Sequence, residues 1–165
     1  MVKESGFCIN TRIMITALQA ASYISQRYLK ENDSPIDEMK LHKLLYFVQR
    51  ECLITYNELM FPEQFVAWKY GPVMLCVRDA LKVGPLEEKI PMEELNKYEI
   101  VFNNVFLRYA GRPSWSLSTL SHGEYSWQKA RDGLSLEENG NHRIENGDII
   151  KDADRIKLRR ILFES

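Results

Sequence analysis

The sequence predicts a mainly α fold, a single compact helical domain with a short extended or β segment near residues 64–70. Three observations lead there. Apolar residues recur at three- and four-residue steps through most of the chain, the period of helices with one buried face. Gly-Pro and Asn-Gly pairs punctuate these runs at helix-length intervals. One stretch, Gln64 to Tyr70, instead strings aromatic and β-branched residues together as a strand does. With 165 residues, 45% of them hydrophobic and 27% charged, the chain suits one folded domain spanning 1–165, with a core at about 11–162.

The first helix is expected to start from a cap at Asn10 or Thr11. It buries Ile13, Ala17, Ala20, Ala21, Ile24 and Tyr28 and stops at the polar run Lys30 to Asp33. Ser34-Pro35 reads as a capping residue followed by proline at the first helical position, opening a second helix that runs to about Asn57. Leu41, Leu44, Leu45, Val48 and Cys52 form its main stripe, flanked by Tyr46, Phe47, Leu53 and Ile54, so this helix should be central and mostly buried. Lys43 and Arg50, seven positions apart on nearly one side, are expected to reach solvent.

Phe61-Pro62 breaks the pattern before the Gln64–Tyr70 segment. Gly71-Pro72 then stops that segment, the proline starting a third helix that buries Val73, Cys76, Val77, Ala80 and Leu81 and closes at Gly84-Pro85. A fourth helix, Met92 to Ala110, shows Leu95, Tyr98, Phe102, Val105 and Tyr109 at helical spacing and ends at Gly111-Arg112-Pro113. Two short helical pieces around Gly123 fill residues 118–131, with Trp127 and Ala130 inward. Leu134 to Asp148, with Asn139-Gly140, Asn141-His142 and Asn146-Gly147, reads as an exposed, mobile loop. A last helix places Ile149, Ala153, Ile156 and Leu162 against the body and a basic group, Arg155, Lys157, Arg159 and Arg160, outside.

Composition excludes several function classes. A net charge of -1 leaves no basic footprint in bulk, which argues against nucleic acid, and the basic group of the last helix reads as a solvated face. Cys8, Cys52 and Cys76 are odd in number and widely spaced, unlike a disulfide framework or a zinc site, and read as reduced thiols. No run approaches the ~18 apolar residues of a membrane span, and the N-terminus lacks the pattern of a secretion signal, so a cytoplasmic protein is expected. Phosphate-binding glycine spacings are absent. His42, His122 and His142 lack metal-ligand spacing, so neither metal nor cofactor is expected. The sharpest catalytic reading would pair His122 with Glu124 or a cysteine as a small hydrolase, but nothing supplies an orienting group or an oxyanion donor. Among the aromatic anchors, Trp68 and Trp127 are expected in the core, Trp115 and Tyr125 at the surface.

Three segments in order carry a resemblance: Lys40-Leu41-His42-Lys43-Leu44-Leu45-Tyr46-Phe47, Ala67-Trp68-Lys69-Tyr70-Gly71-Pro72-Val73, and Leu120-Ser121-His122-Gly123-Glu124 leading to Trp127, Ala130 and Arg131. Together with the closing Ile149-Ile150 helix they resemble the Panacea domain, the phage-associated or SocA-like family, over roughly residues 13–160. Departures are Ser121 where threonine is usual, Tyr125 and Ser126 before Trp127, and an Asn/Gly-rich insertion from Glu137 to Gly147.

The resemblance implies an antitoxin of a bacterial or phage toxin-antitoxin pair, in the setting of phage defence. Such a protein is not an enzyme and neutralises its cognate toxin by direct contact. One relative instead looks like an adaptor delivering its toxin to a protease of the AAA+ kind. Lys43, Leu44, Tyr46, Trp68, Gly71, Pro72 and Trp127 are expected to serve structure, with Leu41 and Leu45 beside them in the core. His122, Glu124, Tyr125, Arg131 and Trp115 are the expected partner contacts.

Overall fold

A computed structural model describes residues 14–164. In chain order these form α1 (Ala17–Asn32), α2 (Glu38–Tyr56), β1 (Val66–Trp68), β2 (Gly71–Val73), α3 (Leu75–Val83) and α4 (Met92–Val105). A π-helical turn (Phe106–Ala110), α5 (Ser114–His122), α6 (Tyr125–Ala130) and α7 (Asn146–Phe163) follow. The architecture is mainly α, as the periodicity predicts. One hydrophobic cluster draws side chains from every helix, and α2 lies at its centre, packed by α1, α4, α5, α7 and β2. No helix among the described residues is long and apolar enough to cross a membrane.

Local chemistry explains where the helices begin. Thr16 and Gln19 form a capping box: the Gln19 N–H donates to Thr16 Oγ1 at 3.0 Å and the Thr16 N–H to Gln19 Oε1 at 2.8 Å. The expected caps Asn10 and Thr11, with Cys8 and Ile13, lie outside the described residues. The described start at Ala17 follows from this box and from Ile15, whose N–H donates to the Met60 carbonyl at 3.1 Å. For α2 the cap is Asp37, accepting from the Lys40 N–H at 2.9 Å, so the Ser34-Pro35 start moves three residues along. The helix ends at Asn57, as expected, in the left-handed conformation that asparagine tolerates.

From Lys40 to Leu53 every residue of α2 is buried. Lys43 and Arg50, expected to reach solvent, are only 1% and 2% exposed. They do share one side of the helix, but the hairpin covers Lys43 and the junction of α5 and α6 covers Arg50.

Gly71-Pro72 is likewise corrected. These residues form β2 and pair antiparallel with β1 in the register Val66–Val73, Ala67–Pro72, Trp68–Gly71. The third helix begins only at Leu75. Glycine is required at 71 twice over: its φ is +114°, and a Cβ there would lie 2.4 Å from Ser121 Oγ and 2.5 Å from Lys43 Cε. Cys76, expected inward, is exposed.

The region expected as a mobile loop is pinned to the hairpin. Val66 bridges Arg143, the Ala67 N–H donates to the His142 carbonyl and the Ile144 N–H to the Phe65 carbonyl, both at 2.8 Å. Ile144 is buried beneath it. Trp68, expected in the core, is half-buried: Arg78 lies 4.8 Å over its ring, and its Nε1–H donates to Asn141 Oδ1 at 2.7 Å. Trp127 is buried as expected. On α7, Ile149 and Ala153 face the core, but Leu162, expected against the body, is exposed: nine positions after Ala153, it falls on the opposite face of the helix.

Candidate functional site

The family-like segments converge on one side of α2, where residues 43, 46 and 50 stand roughly above one another. The buried Tyr46 hydroxyl lies 2.7 Å from Ser126 Oγ and donates toward Asp152 Oδ2 at 3.3 Å. Asp152, carried by α7, also accepts the Tyr125 and Ser126 N–H groups at 2.8 Å each, capping α6. Beside it, the Arg50 guanidinium pairs with Glu124 and donates to the Tyr109 hydroxyl at 2.7 Å. Tyr109 lies in the π-helical turn, its ring stacked on Phe47 with centroids 4.4 Å apart. Burial lifts the Glu124 carboxyl to about 7, with Arg50 pulling against the rise and Asp152 adding to it.

A second polar group sits at the other end of α2. Lys43 Nζ donates to the Pro72 carbonyl at 3.0 Å, and burial brings its ammonium down to about 7. His42 accepts the Met74 N–H on Nδ1 at 3.2 Å and is held near 4 by burial and by Lys43. Both therefore tie the hairpin and the start of α3 to α2.

His122 stacks on Trp127 with centroids 4.3 Å apart and an interplanar angle of 15°, and its buried Nε2 has no hydrogen-bond partner. Burial lowers its pKa, favouring the neutral ring. The other groups weighed for hydrolytic chemistry are not gathered around it. Glu124 engages Arg50, Tyr46 and Arg155, and Cys52 is buried in the core with its thiol pushed up to about 12. Among the described residues no group of three or more His, Cys, Asp or Glu side chains could hold a metal ion.

Of the expected partner contacts, Trp115 is 71% exposed on α5, and Tyr125 is exposed at the start of α6. Lys129 and Lys151 lie 5.9 and 5.3 Å from the Tyr125 ring centre. The exposure expected for Glu124 and Arg131 is corrected: they are 4% and 7% exposed and turn inward. Arg131 donates to the carbonyls of Ala67 at 2.8 Å, Asn139 at 2.9 Å, Ser135 at 3.0 Å and Glu138, gathering the 134–145 segment onto the hairpin.

One large concavity was not foreseen. It is a groove of about 740 Å³ between α2, the π-helical turn, α5 and α7, with six arginines in its lining. Its floor is Phe47, Tyr109 and the Arg50–Glu124 pair; Thr119, Leu120 and Gly123 form one wall. Arg155, Arg159 and Arg160, read from sequence as a solvated face, line the opposite wall, and Arg160 makes a two-pronged pair with Glu51 at 2.8 and 3.0 Å. Arg108 and Arg112, four residues apart, complete the rim.

Comparison with curated proteins and with solved structures gave no match. A family model described as "Antitoxin SocA-like, Panacea domain" matches residues 41–128, more than half of the chain. That stretch contains nearly all of α2, the Gly71-Pro72 hairpin and the His122 to Trp127 segment that builds the buried network. The chain therefore belongs to the SocA-like antitoxin family of Panacea domains.

Proposed function

We propose that this protein is the antitoxin of a bacterial or phage toxin-antitoxin pair, acting in the cytoplasm by binding its cognate toxin directly and without catalysis. The observation carrying this reading is the division of labour within the family-matched region. Tyr46, Arg50 and Glu124 are buried and mutually engaged, and Lys43 is buried against the Pro72 carbonyl, so all four serve the fold. Trp115, Tyr125 and Leu120 are left exposed on two short helices. Exposed aromatic side chains next to cations are the residue types that dominate protein interfaces. A typical specific interface covers about 800 Å² per partner, and the 9754 Å² surface of the chain accommodates that readily.

Co-expression with the toxin encoded beside it tests the proposal. Growth rescue with a stoichiometric complex that survives gel filtration is expected. Rescue that disappears in a host lacking its AAA+ proteases would replace direct neutralisation by proteolytic delivery. Loss of rescue in a folded His122→Ala variant that still binds toxin would revive the hydrolase reading.

A further inference from the structure

The arginine groove deepens the toxin-binding reading and rests on it. Six arginines and no lysine line it. The carboxylates within reach are Glu124 and Glu164 in the lining, with Glu51 paired to Arg160 and Asp152 to Arg155 at its edge. Six guanidinium groups thus face four carboxylates, in a chain whose overall net charge is -1. Two of the six, the exposed Arg112 and Arg159, hold no ion pair among the described residues. On the floor, the buried Arg50 Nε has no hydrogen-bond partner.

Apolar surface adjoins this charge. Leu158 and Leu162 on α7 are exposed, four residues apart, and so form a ridge. Arg155 and Arg159 form the neighbouring ridge, each three residues before one of the leucines. Phe163 stands exposed a turn beyond Arg159 and Arg160. Arginine forks match carboxylates in a two-pronged geometry, and an aliphatic ridge beside them matches the apolar side of the same segment.

We propose that the groove receives an acidic, leucine-bearing segment of the partner toxin, its carboxylates on Arg112 and Arg159 and its apolar side chains on Leu158 and Leu162. A protein segment fits better than a nucleic acid. Phosphate backbones are met by broad basic surfaces in which lysine and arginine both serve, whereas here lysine is missing from the lining, carboxylates alternate with the arginines and the flank is aliphatic. Enrichment of arginine and depletion of lysine mark protein interfaces.

The decisive variant is Arg112→Glu combined with Arg159→Glu, because neither guanidinium is committed to an internal ion pair. Circular dichroism and thermal unfolding should match the wild type. Titration calorimetry with the purified toxin should show affinity reduced at least about 30-fold, the scale of an interface hot spot. Added salt should weaken wild-type binding more than variant binding. Leu158→Ser with Leu162→Ser should weaken binding without changing the salt dependence. Unaltered affinity in the arginine variant, with the wild-type complex intact, would overturn the groove and leave the antitoxin reading standing. Absence of any wild-type complex would overturn both. Binding of poly(U) RNA that the arginine variant abolishes, with toxin affinity retained, would reassign the groove to nucleic acid.

Discussion

Lys43 shows how a single buried charge shapes the behaviour of the protein. The end of its aliphatic stem lies against Gly71, its ammonium donates to the Pro72 carbonyl, and among the described residues no carboxylate hydrogen-bonds to it. Burial lowers the folded pKa to about 7 from an ordinary 10.5. Between those values the unfolded chain holds one more proton than the folded one, so stability rises with pH; below about 7 both states are charged and the cost is fully present. Lys43→Met should remove this increment. Urea unfolding compared between about pH 7 and pH 9 should show the wild type gaining on the variant by up to about 1.4 kcal/mol per pH unit. Parallel profiles would mean that the ammonium is hydrated in the folded state. Nothing in the local sequence announces this residue, which by spacing alone belongs with Arg50 on a polar strip. Only the folding of two distant segments over that strip makes both cations interior.

At the scale of elements, helix spans were legible and their starting points less so. The stripe through Leu41, Leu44 and Cys52, the stop at Asn57 and the two short helices about Gly123 all follow from period and punctuation. The described start of α1 at Ala17 is set by the capping box of Thr16 and Gln19, inside a stretch whose apolar period does not mark it. The hairpin was only half legible, since proline after glycine serves equally as a helix opener and as a strand residue that needs no N–H. For the 134–145 segment, asparagine and glycine content predicts mobility, but Arg131 supplies hydrogen bonds to four carbonyls at once. Charged donors contribute roughly 1.5–3 kcal/mol each. Arg131→Ala should therefore leave α2 protected while amide exchange at Ala67 and Ile144 accelerates markedly, read by mass spectrometry. Unchanged protection there would show that the backbone bonds to the hairpin suffice.

For the whole molecule, the family-matched segment and the packing unit differ in extent. Residues 41–128 lack Ala20, Ala21 and Ile24 of α1, which cover one side of α2, and Ile149, Asp152 and Ala153 of α7, which cover another. We expect a fragment of residues 41–128 to show no cooperative thermal transition by circular dichroism, and the 14–164 span to show one; cooperative melting of the short fragment would refute this. The groove itself was illegible in sequence because Arg50, Arg108, Arg112 and Arg159 come from three separated stretches, each unremarkable alone.

The inward commitment of Lys43, Tyr46, Glu124 and Arg131 has an evolutionary corollary. On the toxin-binding proposal, foldability and address fall in separate sets of residues. On that proposal, substitutions on the outer turns of α5 and α7 leave the buried network untouched while changing the surface offered to a toxin. Grafting the outward side chains of those two helices from a second family member onto this interior should yield a well-folded chimera that answers to the donor's toxin.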